Sequence, residues 1–299
     1  MDKLEIKRRL QQSPIEIGIE DITYNTSGRL LIAGNIDGIR YDSFFLKSID
    51  CEKRLFVFLS AVGVYRDEST TFHRVMWASK FNGHALYIDD PMRKITKFAP
   101  CFYIGSKEFD CTKEIADIVT RFKSIYDIDD KNITFISSSN GGFASIKVSQ
   151  FFKNCTVIAL NPQISVPQYF KNKTDAESKL GFNFSDVVMS GRTEAKCEID
   201  SKRNKILICS NLACDSDQDQ MNLLSSWYNF EKGPGIKFIH ECCDCFLFKI
   251  ASDETVPHLI QPDENMVSLI LNCEYFNLPK LAKKHLFEVV DSMMKEKYK

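Results

Sequence analysis

The sequence predicts an α/β protein whose mostly parallel central sheet is flanked by helices on both faces. Short, continuous apolar runs rich in β-branched residues recur along the chain, and such runs are typical of buried parallel strands. Stretches with apolar residues at helical spacing lie between these runs, so that strands and helices alternate. No repeat or low-complexity linker interrupts the pattern, and we therefore expect residues 1–299 to form a single domain.

The N-terminal part of the chain has a different pattern. Over residues 15–50, apolar and polar residues alternate loosely, and Asn25, Gly28, Asn35 and Gly38 separate the apolar groups. Turn-forming residues between alternating runs are typical of hairpins. We expect residues 15–50 to form antiparallel strands and hairpins that pack on the rest of the domain.

From residue 55 onward, strands and helices are predicted in turn. The continuous apolar runs predict strands at 55–59, 84–88, 101–104, 132–136, 156–160, 205–209 and 236–239. Helical spacing predicts helices at 72–81, 113–126, 145–152, 221–230 and 278–295. Strands connected through helices favour a parallel sheet with both faces covered.

Residues 164–203 interrupt the alternation. This stretch is polar and mixed in composition, with Phe170, Phe182 and Phe184 dispersed through it. It is predicted to be an insertion of short helices. The sequence leaves two roles open for this insertion: a small cap over a site, or a surface excursion without a catalytic role.

The composition excludes several classes of protein. The 39 basic and 40 acidic residues nearly cancel, which gives no support for a nucleic-acid-binding protein. No apolar stretch approaches the roughly 18 residues of a membrane span. The charged N-terminus is not followed by the apolar core of a secretory signal. Together with an odd number of cysteines, 11, this favours reduced thiols and a cytoplasmic location.

The cysteine cluster at 242–245 is the one motif that suggests a metal. A zinc site would need a second cysteine pair at suitable spacing, and Cys273 stands alone. Because the cluster follows a predicted strand directly, buried small side chains explain it better. We expect no metal.

The segment 137–145, Ser-Ser-Ser-Asn-Gly-Gly-Phe-Ala-Ser, carries the strongest functional signal. It joins a predicted strand to a predicted helix, which is the setting of a nucleophile elbow, usually Gly-x-Ser-x-Gly. The turn needs small residues two before and two after the nucleophile, and Ser137 and Gly141 satisfy this. Ser139 is thus the candidate nucleophile. The alternative is a polar loop in which serine caps the helix.

A serine nucleophile needs a base and a carboxylate that orients the base, and with this elbow they follow in the order acid, then histidine. His258 lies on a polar loop after the last predicted strand and is the preferred base, with His240 as the alternative. The loop after residue 209 carries three candidate acids. Asp215 is the first choice, Asp217 the second, and Asp219 remains open.

An oxyanion hole requires two backbone N–H groups directed at the developing negative charge. One is expected from Asn140, the residue after the nucleophile. The other is expected from the loop after strand 55–59, from Ala61 or Val62.

From these residues, the chain resembles the α/β-hydrolase superfamily over residues 50–275. Three segments, 58–63, 72–77 and 160–163, resemble bacterial proteins encoded with capsule or other surface-polysaccharide genes. Some members of that group are similar to cytoplasmic polysaccharide O-acetyltransferases, which move acetyl from acetyl-CoA through an acyl-serine. The resemblance implies a small-molecule acyl donor, acetyl-CoA, a glycan acceptor and no bound cofactor.

The predicted function is therefore serine-dependent acyl transfer, with O-acetylation of a capsular or surface polysaccharide, or its precursor, as the preferred reaction. A carboxylesterase or deacetylase of the same fold is the first alternative. The second is a non-catalytic protein of this fold that binds a glycan or acts as a scaffold, since fold alone does not determine function.

Overall fold

The structure, a computed structural model, describes residues 3–36, 38–48, 53–61, 72, 74–253 and 255–299. Ten strands form one sheet in the order β1-β2-β3-β5-β4-β6-β7-β8-β10-β9. Their bounds are β1 (Ile15–Gly18), β2 (Gly28–Ala33), β3 (Arg40–Leu46), β4 (Leu55–Leu59), β5 (His84–Ile88), β6 (Ile133–Ser138), β7 (Thr156–Leu160), β8 (Lys205–Asn211), β9 (Gly235–His240) and β10 (Cys243–Phe248).

The middle of the sheet is parallel, as predicted. Neighbouring strands from β5 through β4, β6, β7 and β8 to β10 all run in the same direction. Antiparallel pairing occurs towards the two edges, where β3 pairs with β2 and β5, and β9 pairs with β10.

One expected hairpin is not formed. β1 lies parallel to β2, with Ile15 opposite Leu30, whereas residues 15–50 were expected to pair only in antiparallel fashion. The connection, residues 19–27, contains successive hydrogen-bonded turns that return the chain to the end of the sheet where β1 began. The second pair, β2 and β3, does form the expected antiparallel arrangement.

Helices cover both faces of the sheet. One face packs against α3, α4 and α9, and the other against α1, α10 and α11. The helix bounds are α1 (Lys3–Leu10), α2 (Met92–Thr96), α3 (Cys111–Ile125), α4 (Ser139–Ser149), α5 (Val166–Tyr169), α6 (Lys173–Leu180), α7 (Val187–Thr193), α8 (Lys196–Asp200), α9 (Asp215–Tyr228), α10 (Glu264–Asn272) and α11 (Lys280–Lys297). No helix in the described ranges has the length and apolar character needed to cross a bilayer.

The predicted strand at 101–104 is wrong. Phe102 and Tyr103 have φ angles of 59° and 58°, which an extended strand cannot accommodate. A buried carboxylate holds this conformation, because Asp90 accepts a hydrogen bond of 2.8 Å from the backbone N–H of Tyr103. The predicted helix at 72–81 is a shorter 3₁₀ helix, Val75–Lys80.

Neither β10 nor α10 is among the predicted elements. The cysteine cluster begins β10, and Cys243 and Cys245 are buried within the sheet. Between them, the buried carboxylate of Asp244 accepts hydrogen bonds from the hydroxyl of Tyr275 (2.7 Å) and the ammonium group of Lys283 (2.8 Å). The cluster is thus part of the core.

The strand order places a crevice at the carboxyl ends of the central strands. The chain passes from β4 to β5 on one side of β4, and β6 later pairs with its other side. In open α/β sheets, ligands bind at the carboxyl ends of strands where the order reverses in this way. The carboxyl ends of β4 and β6 are therefore where a site is expected.

Candidate active site

Ser139 lies at the sharp turn between β6 and α4. The strand ends at Ser138 and the helix begins at Ser139, whose φ of 54° is unusual for a residue with a side chain. A non-glycine residue in this conformation is strained, and such residues cluster at functional sites. The backbone thus has the geometry expected of a nucleophile elbow.

The two glycines after Ser139 are required by close packing. A Cβ atom on Gly141 would lie 2.3 Å from the carbonyl oxygen of Leu59, at the end of β4. A Cβ atom on Gly142 would lie 3.0 Å from the Cβ of Pro162, after β7. Glycine therefore allows the first turn of α4 to sit directly against the ends of both neighbouring strands.

Ser137, which replaces the usual first glycine, makes contacts that glycine could not. It is fully buried, and its hydroxyl oxygen accepts hydrogen bonds from the backbone N–H of Leu59 (2.8 Å) and from the hydroxyl of Ser145 (2.9 Å). The backbone register of β4 and β6 extends only to Val57 and Phe135. Beyond that point the Ser137 side chain supplies the partner for Leu59.

Three side chains form a continuous hydrogen-bonded chain. The Oγ of Ser139 lies 3.0 Å from Nε2 of His258, and Nδ1 of His258 lies 2.7 Å from Oδ1 of Asp217. An ionised carboxylate only accepts hydrogen bonds, so Nδ1 carries the ring proton and Nε2 is left to accept the proton of Ser139. This arrangement can raise the nucleophilicity of a serine hydroxyl.

The carboxylate that contacts His258 is the second-choice Asp217, and Asp215 and Asp219 are exposed. The reason is that α9 begins at Asp215, so the candidate acids lie in a helix instead of a loop. Positions two apart on a helix point about 200° away from each other. When Asp217 faces the imidazole, Asp215 therefore faces solvent.

The environment of Asp217 is unusual. Its side chain is completely buried, and burial raises the pKa of the carboxyl, while the hydrogen bond and charge of His258, and a smaller contribution from Cys214, act in the opposite direction. The contribution of Cys214 is a weak thiol hydrogen bond, and the second oxygen, Oδ2, accepts no N–H or O–H hydrogen bond from the described residues.

Two buried asparagines hold the loop that carries His258. The side-chain amide of Asn161, after β7, donates to the carbonyl oxygens of His258 (2.6 Å) and Ile260 (3.0 Å). The amide of Asn211, the last residue of β8, donates to the carbonyl oxygens of Ile250 (2.8 Å) and Pro257 (2.9 Å). The loop is thereby fixed to the carboxyl ends of two core strands.

The two asparagines are joined to each other as well. The side-chain oxygen of Asn161 accepts the backbone N–H of Asn211 at 2.9 Å. Asn161 adopts a φ of 43°, a conformation that asparagine tolerates better than most residues. Neither residue is among the predicted site residues, because an asparagine after a strand resembles an ordinary turn residue.

Gln163 is an unpredicted neighbour of Ser139. It is buried, and its Oε1 lies 3.1 Å from the Oγ of Ser139. A serine hydroxyl has one proton, so Ser139 donates to Gln163 or to His258, but not to both at once. The glutamine is therefore placed to influence the direction of the Ser139 proton.

The predicted oxyanion-hole residues lie where the sheet and α4 meet. Asn140 is buried in the first turn of α4, and Ala61 is buried just beyond the end of β4. The close packing of Gly141 on Leu59 brings these two segments together. Val62, the alternative to Ala61, lies outside the described residues.

A groove of about 660 Å³ opens at Pro257, the residue immediately before His258. One wall consists of Gln168 and Tyr169 from α5 and of Lys171 after it, and the other is the start of α9 together with Pro257. The side-chain oxygen of Gln220 on α9 accepts the backbone N–H groups of residues 164 and 165, which anchors this segment to the helix of Asp217.

The alternative base, His240, is occupied elsewhere. Its Nε2 lies 2.9 Å from the carbonyl oxygen of Ile199, and its Nδ1 accepts the backbone N–H of Cys242 at 3.1 Å. The structure brings together Ser139, His258 and Asp217, and it does not bring His240 to them.

Comparisons with known proteins support the fold. No protein-family model matches the sequence, and no curated protein matches it in a sequence comparison. Among solved structures, the chain is similar to a mutant of the capsule O-acetyltransferase of Neisseria meningitidis serogroup A in complex with CoA, at 14% identity and a TM-score of 0.56, covering 87% of this chain and 100% of that chain.

Two further structures are similar. A thermophilic esterase from Thermogutta terrifontis matches at 13% identity and a TM-score of 0.54, covering 86% of this chain and 95% of that chain. The Glycosylation Associate Protein (Gap123) complex from Streptococcus agalactiae matches at 13% identity and a TM-score of 0.51, covering 74% of this chain and 41% of that chain. The chain therefore has the α/β-hydrolase fold, as its sequence predicts.

Proposed function

We propose that the protein is a serine-dependent acyl-transfer enzyme in which Ser139 is the nucleophile, His258 the general base and Asp217 the carboxylate that orients the base. The observation that carries this proposal is the hydrogen-bonded chain from Asp217 through His258 to a strained serine at the carboxyl end of a parallel strand. In such chemistry a base takes the serine proton, and a carboxylate orients the base.

The proposed reaction begins when Ser139 attacks the carbonyl carbon of a thioester or ester. His258 takes the serine proton at Nε2, and buried Asp217 stabilises the imidazolium ion that forms. Backbone N–H groups of Asn140 and Ala61 donate to the oxyanion, aided by the positive end of the α4 dipole. His258 then returns the proton to the leaving group, and an acyl-serine results.

The acceptor decides whether the enzyme is a transferase or a hydrolase. We favour a cytoplasmic O-acetyltransferase that uses acetyl-CoA and a capsular or surface polysaccharide, or its precursor. Similarity to a capsule O-acetyltransferase in complex with CoA supports this preference, as does the groove at Pro257, which has the aromatic ring of Tyr169 in its wall. Similarity to an esterase supports the alternative of ester hydrolysis by the same residues.

A fluorophosphonate probe followed by peptide mass mapping tests the proposed nucleophile. We expect one adduct, on Ser139, and none in His258→Ala. The matched control is His240→Ala; the imidazole of His240 bonds only to backbone groups and lies outside the chain to Ser139, so this variant should be labelled like the wild type. Absence of an adduct on folded wild-type protein, repeated with a smaller sulfonyl fluoride, would favour the non-catalytic alternative, a glycan-binding or scaffold protein.

Donor and acceptor are tested separately. The purified protein is incubated with acetyl-CoA, with and without a candidate glycan, and released CoA is measured by thiol titration. Release that depends on the glycan indicates transfer. Release of CoA at the same rate without the glycan indicates hydrolysis of acetyl-CoA. Cleavage of simple acetate esters without any release of CoA favours the esterase.

A further inference from the structure

Three side chains near the start of α9 carry donor atoms that suit a metal ion. The thiol sulfur of Cys214, a carboxylate oxygen of Asp217 and a ring nitrogen of His258 all lie within 4.8 Å of one another. A tetrahedral zinc ion with bonds of about 2.0–2.3 Å holds its ligand atoms about 3.3–3.8 Å apart. Small side-chain movements would therefore bring the three atoms to zinc-binding distance.

The chemistry of the donor set favours a soft divalent cation. Thiolate, imidazole and carboxylate are the three ligand types found in zinc sites, whereas magnesium and calcium prefer oxygen alone. A three-residue set also leaves a fourth position for water, as in open zinc sites.

An unsatisfied atom lies in the same cluster. Oδ1 of Asp217 bonds to His258, whereas Oδ2 is buried and, within the described part of the chain, accepts no N–H or O–H hydrogen bond; the Cys214 thiol is the weak donor at this carboxylate. A buried carboxylate oxygen that has at most a weak thiol donor is poorly stabilised, and a bound cation would stabilise it better.

A cation has a route to these residues. Cys214 is partly exposed and lines the groove of about 660 Å³ at Pro257. Asp215 and Asp219 line the same groove, opposed there by Lys171. The excess of negative charge attracts cations to the entrance.

We propose that Cys214, Asp217 and His258 form a binding site for Zn²⁺ whose occupation is incompatible with the hydrogen-bonded chain to Ser139. On binding, the Cys214 thiol loses its proton to solvent, and the lone pair of His258 Nδ1 is donated to the metal. The ring proton then resides on Nε2, which faces Ser139 as a donor. An imidazole in that tautomer cannot accept the serine proton.

The metal site does not depend on the proposed function. The inhibition of Ser139 by the bound metal, however, rests on the proposed function. Binding is therefore measured without activity, using Co²⁺ as a probe in the full-length protein after chelator treatment and dialysis. We expect the near-ultraviolet charge-transfer absorption of a cobalt–thiolate bond in the wild type. It should be absent in Cys214→Ser and retained in Cys273→Ser, a control at another partly buried cysteine. No such absorption in the wild type, or equal absorption in Cys214→Ser, would overturn the site.

A second measurement needs no variant. Alkylation of the wild-type protein by iodoacetamide is followed by mass mapping, with and without Zn²⁺. Cys214 should react at least tenfold more slowly with the metal present, while exposed Cys197 serves as an internal control and should be unaffected. Equal rates at Cys214 with and without metal would contradict the proposal.

The inhibitory consequence is read from the labelling of Ser139. Zn²⁺ should block fluorophosphonate labelling in the wild type, EDTA should restore it, and Cys214→Ser should require at least tenfold more Zn²⁺ for the same block. Cobalt binding without loss of labelling would refute the inhibition and leave the site intact. If metal-free protein is not labelled at all, the proposed function fails, while the cobalt result still decides the site.

Discussion

Replacing Asp217 by asparagine is the sharpest test of how the three side chains work together. The substitution keeps the size of the side chain and changes which groups donate. The buried carboxylate accepts a hydrogen bond of 2.7 Å from Nδ1 of His258. An asparagine amide can instead donate to Nδ1, so the ring proton moves to Nε2, where the Ser139 proton should be accepted.

The magnitude follows from the change of tautomer. The corresponding exchange in a serine protease lowers kcat by about 10⁴-fold. Because Asp217 is completely buried and water cannot take over its role, we expect a loss of about 10³–10⁴-fold here. At about 1.4 kcal/mol for each factor of ten, this is about 4–5.5 kcal/mol of transition-state stabilisation.

The assay is the hydrolysis of 4-nitrophenyl acetate, measured as kcat/KM for Asp217→Asn and for the matched control Asp215→Asn. Asp215 is exposed at the first position of the same helix, and its variant should stay within about twofold of the wild type. If Asp217→Asn keeps more than a tenth of the wild-type activity, or if Asp215→Asn loses as much, the assignment of the acid is refuted.

Three other substitutions test the surroundings of the site. Ser137→Gly, which restores the usual elbow glycine, should lower the free energy of unfolding by about 1–3 kcal/mol in urea, because the buried N–H of Leu59 loses its partner; an unchanged value would contradict this. Asn161→Asp removes the donor of two hydrogen bonds to the His258 loop and should lower the free energy of unfolding by about 2–4 kcal/mol. It should also abolish most of the labelling of Ser139, whereas wild-type labelling would argue against a positioning role. Burial and nearby Lys47 lower the pKa of His84 to about 4, so the unfolded chain binds its proton first and stability falls as pH drops from about 6.5 towards 4. His84→Gln should reduce this fall, measured by urea unfolding at the two pH values, by on the order of 2 kcal/mol, and an identical fall in both proteins would refute it.

The elbow could be predicted because its requirements are local. A strained turn between a strand and a helix needs small residues on both sides, and segment 137–145 contains them at the required positions. The lack of space for a side chain at Gly141, against the end of β4, follows from the same requirement. The parallel middle of the sheet could also be predicted, because its strands are continuous apolar runs.

Which of Asp215 and Asp217 contacts His258 could not be predicted from the sequence, because the answer depends on where α9 begins. The N-cap residue is Cys214, which makes no side-chain cap and is not a usual capping residue, so the sequence carries no clear sign of the helix start. Shifting that start by one residue would rotate all three aspartates by about 100°.

Elements stabilised by distant polar contacts were missed for a related reason. Residues 101–104 are apolar enough for a strand, but the carboxylate of Asp90 holds Tyr103 in a left-handed conformation. β10 contains a buried charged residue, Asp244, at its second position, and its partners Tyr275 and Lys283 follow 31 and 39 residues later in the chain. Such partners cannot be recognised from local periodicity.

The two asparagines that hold the His258 loop also bear on how this protein can evolve. Their side-chain amides donate hydrogen bonds to main-chain carbonyl oxygens, which every amino acid possesses. Side chains of the loop can therefore be exchanged over generations without displacing the imidazole, provided that Asn161 and Asn211 persist. The position of His258, the proposed base, thus depends on residues at the ends of two core strands, and the rest of the loop can change in sequence. This is one way in which a site can persist after sequence similarity is no longer recognisable.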